Sequence, residues 1–160
     1  MHLWSYDDLS HREECRAALS RNERWKSEYL PKAFSLVRRQ DIRLMAPVRP
    51  LNLPTTQANI YEFRYYRCHV GKTAQFVSQL LEALPAREKL SQIVGLWTTI
   101  EGQPNEVCHL WAYEGLAQRA KVRAAAQADK GWQEYLAKAS PLLDEMDSML
   151  ITPWTQSPLK

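Results

Sequence analysis

Polar and apolar positions change their period several times along the chain, and each change marks an element. Over Ile60–Tyr66 bulky and charged residues alternate, with β-prone aromatics suited to a half-buried pleated surface, which predicts a strand. Past Val70 and Gly71 the period lengthens. Phe76, Val77, Leu80, Leu81 and Leu84 recur at helical spacing, predicting an amphipathic helix that ends at Pro85. Ile93–Ile100 is apolar and β-branched, and the turn-forming Glu101–Asn105 joins it to Val107–Tyr113 as a hairpin. Residues 116–128, rich in Ala, Arg and Gln, favour helix. A further helix starts at Asp129 as N-cap, turns Trp132, Tyr135, Leu136 and Ala139 inward, and breaks at Pro141. Met149–Pro153 reads as a short closing strand with a proline at its end. The order β-α-β-β-α-β predicts an α+β, ferredoxin-like domain whose helices cover one face of the sheet.

Much of this pattern has already appeared at the start of the chain. Residues 2–25 laid on 109–132 without a gap give ten identities in 24 positions, among them His2/His109, Trp4/Trp111, Tyr6/Tyr113, Arg12/Arg119, Arg16/Arg123 and Trp25/Trp132. After one inserted residue the match resumes at Tyr29/Tyr135 and runs to Leu44/Leu150 and Pro47/Pro153. Nothing before Met1 corresponds to residues 60–108, so the first copy reads as a truncated, incomplete half repeat of order β-α-β. Its strand lies at His2–Tyr6, Ser10 and Glu13 match a capping box, and Asn22 stands where Asp129 does. The expected domains are 1–47 for this half repeat, 48–58 for a proline-containing linker without periodicity, 59–154 for the complete domain, and 155–160 for a C-terminal tail. Without its missing strands the half repeat has unpaired edges, so it should not fold alone.

Charge changes this picture little. The net charge is +3. All of that excess falls within residues 1–57, which hold ten Lys/Arg against seven Asp/Glu. Arg38, Arg39, Arg43 and Arg49 cluster there without interleaved aromatics, which reads as a solvated face and argues against nucleic acid as a partner. Cys15, Cys68 and Cys108 are odd in number and lack metal-ligand spacing, so they read as reduced thiols, with no metal or other cofactor expected. No stretch is long and apolar enough for a transmembrane segment, and no targeting segment is visible.

Tyr61-Glu62-Phe63-Arg64-Tyr65-Tyr66, Val94-Gly95-Leu96-Trp97, His109-Leu110-Trp111-Ala112-Tyr113 and the ending Ser157-Pro158-Leu159-Lys160 together give the chain its resemblance to the NIPSNAP family. The resemblance implies a dimeric α+β barrel type of fold, in which two sheets pack face to face around a barrel interior. It also implies links to mitochondria, vesicle trafficking and, in some animal relatives, mitochondrial quality control through adaptor binding. A cytoplasmic or mitochondrial location follows from the same resemblance.

Alternation places Glu62, Arg64 and Tyr66 on one face of their strand, Val107, His109, Trp111 and Tyr113 on one face of theirs, and Trp97 with Thr99 on another. If these faces coincide in the barrel interior, two readings stand. In the first they line a small-molecule pocket, with Arg64 for an anionic group, His109 and Tyr113 as candidate catalytic groups, and Trp97 and Trp111 as walls. In the second they form an interface in which Glu62 and Arg64 pair. Repetition of the motif as His2, Trp4 and Tyr6 favours the interface, since a catalytic site would not need both copies. The expected function is therefore non-catalytic protein association, with self-association through the sheet face. The alternative is a small α+β-barrel enzyme, such as a cofactor-independent monooxygenase.

Overall fold

The computed structural model describes residues 1–56 and 59–160. Contacts divide the chain into two units, Met1–Asp41 and Ile42–Lys160.

The first unit is helical. Helix α1 spans Leu9–Arg21, a π-helical turn covers Trp25–Tyr29, and α2 runs Leu30–Leu36. Asp8, rather than the expected capping box at Ser10, caps α1, its carboxylate accepting from the His11 N–H at 2.7 Å. Asn22 accepts from the Trp25 N–H at 2.9 Å, as Asp129 does from Trp132 at 2.7 Å, so that repeat equivalence holds in geometry. None of these helical segments buries a side chain. The strand expected at His2–Tyr6 is absent, and Trp4 is 75% exposed. Its sequence matches that of the buried strand segment 109–113 at all but Ser5, but an extended segment becomes a strand only where a neighbour accepts its hydrogen bonds.

In the second unit, strand β1 (Leu44–Pro47) is followed by β2 (Ile60–Cys68), helix α3 (Thr73–Arg87), and the hairpin β3 (Ile93–Glu101) and β4 (Glu106–Tyr113). Helices α4 (Leu116–Ala128) and α5 (Lys130–Ala139), a 3-10 turn at Ser140–Leu142 and β5 (Leu143–Ile151) complete it. Pro85 lies inside α3 instead of ending it, because Leu84 and Arg87, both buried, hold the last turn against the sheet layer. All strands form one antiparallel sheet of order β1-β3-β4-β2-β5. The last four are the ferredoxin-like arrangement.

The fifth strand comes from the end of the first copy. The first copy builds no sheet of its own; its terminal strand β1 pairs with β3, Met45 opposite Thr99 and Pro47 opposite Trp97. Much of the expected linker follows the same edge, the Val48 N–H donating to the Leu96 carbonyl and the Asn52 N–H to that of Val94. Gln57 and Ala58 of that linker lie outside the described residues. The expected tail is docked as well: the Lys160 carbonyl accepts from Asn59 Nδ2 at 2.8 Å and Tyr61 Oη at 2.9 Å, and Leu159 packs beside Tyr61 and Phe63.

Two apolar layers flank the sheet. On the helix-bearing side Phe76, Leu80, Leu84, Val122 and Tyr135 pack on Ile93, Leu96, Trp111 and Tyr113. On the far side Tyr61, Phe63, Val94, Cys108, Leu110 and Ala112 cluster and are buried. The Trp97 ring lies across Gly95 there, where a Cβ would sit 2.1 Å from the ring, so only glycine fits.

Candidate functional site

Strand alternation and register bring most of the predicted residues together. Arg64 stands opposite His109 and Glu62 opposite Trp111 in the β2–β4 ladder, with Tyr66 and Tyr113 on the same face. That face is the one beneath the helices, not the side turned toward a second sheet. Trp97 and Thr99 point the other way, Trp97 packing with Val94 and Leu110. Thr99 donates to Glu106 at 3.3 Å. The faces therefore do not coincide, and no shared interior contains all nine residues. Alternation ties residues to a common face of one strand, yet relative faces of two strands depend on register, and β3 carries a bulge between Ile93 and Gly95. His2, Trp4 and Tyr6 lie in the first unit without a strand to orient them.

The centre of the site is Glu62, 1% exposed, at the floor between β2 and α4. Its carboxylate accepts from Arg119 Nε at 3.0 Å and Nη2 at 2.6 Å, and from Arg64 Nη2 at 2.9 Å. Arg123 Nη1 stands 3.5 Å away. Arg119 and Arg123 are one helical turn apart on α4 and so present the same face to the sheet. Burial would push the Glu62 carboxyl up, but the hydrogen bonds from Arg119 and Arg64 overcome it and hold the group at about 2. Among the described residues Arg87, buried on α3, has no carboxylate partner: it donates to Ser91 Oγ at 2.7 Å and lies 4.6 Å over the Trp111 ring and 5.4 Å over that of Trp132.

His109 accepts a hydrogen bond from Trp111 Nε1 at its Nδ1, 2.6 Å away, so the proton of the neutral ring sits on Nε2. Burial, reinforced by the neighbouring Arg64 guanidinium, lowers its pKa to about 3. Nε2 is buried without a partner, as are Arg64 Nε and the Tyr113 hydroxyl. Tyr66 stands edge-on to His109 at 4.9 Å between ring centroids, so the imidazole is enclosed by side chains.

These pKa shifts predict an acid-sensitive fold. Between pH 6.5 and about 3 the unfolded chain takes up a proton that His109 refuses when folded, and between 4.5 and about 2 Glu62 does the same. Stability should be flat for these groups above pH 6.5 and fall on acidification, by at most about 1.4 kcal/mol per pH unit for each titrating group. Urea denaturation at pH 7.5, 5.5 and 4.5 checks this; a midpoint unchanged down to pH 4.5 contradicts it.

Sequence reasoning did not single out Arg87, Arg119 and Arg123, because arginines on amphipathic helices read as solvated. A signal existed in two of them, since Arg119 and Arg123 are identities between the copies. Also missed was a smaller polar cluster on the far face, where Arg43 donates to Glu106 at 2.6 Å and 3.3 Å. Among the described residues no group of three or more His, Cys, Asp or Glu side chains is placed to hold a metal ion. Nor is any helix long and apolar enough to cross a membrane.

A NIPSNAP family profile matches residues 1–50 and 61–158. Protein NipSnap homolog 1 of Danio rerio is 29% identical over 162 residues, a match covering all of this chain and 58% of that protein, so the chain spans little more than half the length of this relative. The crystal structure of a NIPSNAP family protein from Agrobacterium tumefaciens superposes with a TM-score of 0.61 at 29% identity, covering 64% of this chain and 99% of the other. A Nitrosomonas europaea protein named for a proposed antibiotic biosynthesis monooxygenase activity shares the fold at 9% identity and a TM-score of 0.52 over 68% of this chain and all of the other.

Proposed function

Because this chain belongs to the NIPSNAP family, we propose that it acts by protein association rather than catalysis, its β5 end adding to the sheet of another NIPSNAP-type domain. The observation that carries this reading is the seating of β1. Leu44 and Pro47 of β1 are the repeat equivalents of Leu150 and Pro153, at the end of β5 and just beyond it, and β1 pairs with the outer edge of β3. Val48, the next residue, packs against the helix-side core, while its equivalent Trp154 is 75% exposed. The end of β5 thus carries the sequence that completes a β3 edge, and in this chain that edge is already taken.

The association surface moves accordingly from the sheet face, whose central side chains are buried, to the β5 edge, where Met146, Met149 and Leu150 are exposed. The fitting partner is a NIPSNAP-type domain whose β3-equivalent edge is free. A mitochondrial or vesicle-trafficking setting, implied by the family resemblance, is compatible with such a role. The test uses the full chain. Wild type should sediment as a monomer at micromolar concentration, whereas Met45→Pro with Ala46→Pro, which lifts β1 off β3, should yield a self-associating species. Adding Trp154→Lys should return it to monomer. An edge-opened variant that keeps its far-UV spectrum and stays monomeric overturns the reading.

A further inference from the structure

We propose that the arginine cluster between α4 and strand β2 is a binding site for a small-molecule oxyanion, a carboxylate or phosphate group. The argument starts from charge. Arg64, Arg119 and Arg123 converge on the single carboxylate of Glu62, so three guanidinium groups share one carboxylate, and Arg87, buried nearby on α3 over Trp111, has no salt-bridge partner among the described residues. A buried excess of cations is costly unless something neutralises it.

The unpartnered groups point to the same ligand. Arg64 Nε and the Nε2–H of His109 are buried and unbonded, and the Tyr113 hydroxyl, beside the Arg87 guanidinium, has no acceptor for its proton, so all three can donate. His109 and Tyr113 are each more than nine-tenths buried and adjoin the guanidiniums, Arg64 being the cross-strand neighbour of His109 and Arg87 a neighbour of Tyr113. Donors without acceptors among surplus positive charge call for an acceptor-rich anion, and planar guanidiniums suit an oxyanion.

Access comes from the β5 side. Register places Ser148 opposite Arg64 and Leu150 opposite Glu62, on the same face, yet both are exposed. The helices therefore leave β5 uncovered, and the side chains of Arg119 and Arg123, 23% and 44% exposed, are the ones a ligand would meet first from solvent. Partner strands would approach the edge of β5, whereas this site adjoins its face.

Calorimetric titration of the full chain with inorganic phosphate and, separately, with succinate, at ionic strength matched with NaCl, tests the proposal. One saturable site is expected for at least one of them, and which of the two binds identifies the group recognised. Arg123→Gln, at a half-exposed position, should weaken binding by about tenfold, as should Tyr113→Phe by about threefold, while Arg39→Gln in the first unit leaves it unchanged. No saturable heat with either probe, equal affinity in the Arg123→Gln and Tyr113→Phe variants, or equal loss in Arg39→Gln would overturn it.

Discussion

Replacing Glu62 with Gln is expected to cost about 3–5 kcal/mol of folding stability, the range observed when one partner of a buried ion pair is removed. The carboxylate is the common acceptor for Arg64 and Arg119, with Arg123 close by, and is itself almost wholly buried. A neutral amide of the same shape keeps one acceptor oxygen but leaves the guanidiniums to repel one another across the sheet–helix layer. Against a typical total of about 5–15 kcal/mol, that is a large fraction. Urea denaturation measures it. Glu62→Gln combined with Arg119→Gln should recover part of the loss, because the second change relieves the repulsion created by the first. A single variant as stable as wild type would show that the arginines are adequately hydrated without the carboxylate.

Trp111→Ala is expected to cost a comparable 3–5 kcal/mol, for a different reason. Trp111 is among the largest fully buried side chains, and truncating it leaves a void beneath α3 and α5. The indole also donates to His109 and carries the stacked Arg87 guanidinium, so two buried polar groups lose their orientation with it. Trp111→Phe separates the contributions: it restores most of the volume, and its residual cost of about 1–2 kcal/mol reports the lost hydrogen bond. Should Phe prove as damaging as Ala, the hydrogen bond and not the packing would dominate.

How much of this was readable beforehand depends on which physical quantity each feature rests on. The β2–β4 strands and the helices around them follow from period alone, since Ile60–Tyr66, Ile93–Ile100 and Val107–Tyr113 can bury their bulky residues only when extended and paired. The N-terminal His-Leu-Trp-Ser-Tyr segment carries the same local preference but no partner, and pairing is a property of the whole chain. The site was half legible. Glu62, Arg64, His109, Trp111 and Tyr113 share a face because alternation is a local rule, but β2 is bulky on both sides, Tyr61 and Phe63 against Arg64 and Tyr66. Alternation could not say which side the helices would take. Arg119 and Arg123 escaped notice because a helix records its own periodicity and not the sign of charge buried opposite it.

The seating of β1 has one more consequence. A strand tethered to the sheet it completes competes with any incoming strand at an effective concentration on the order of millimolar for a short tether. An external segment of ordinary micromolar affinity would not displace it, and the shortness of β1 together with Pro47 and Pro50 makes its own outer border a poor template for further growth. In the association proposed above, the domain would donate a strand without receiving one. Assemblies built from it would therefore terminate instead of elongating into fibres, a polarity set by four residues that the second repeat takes from the first.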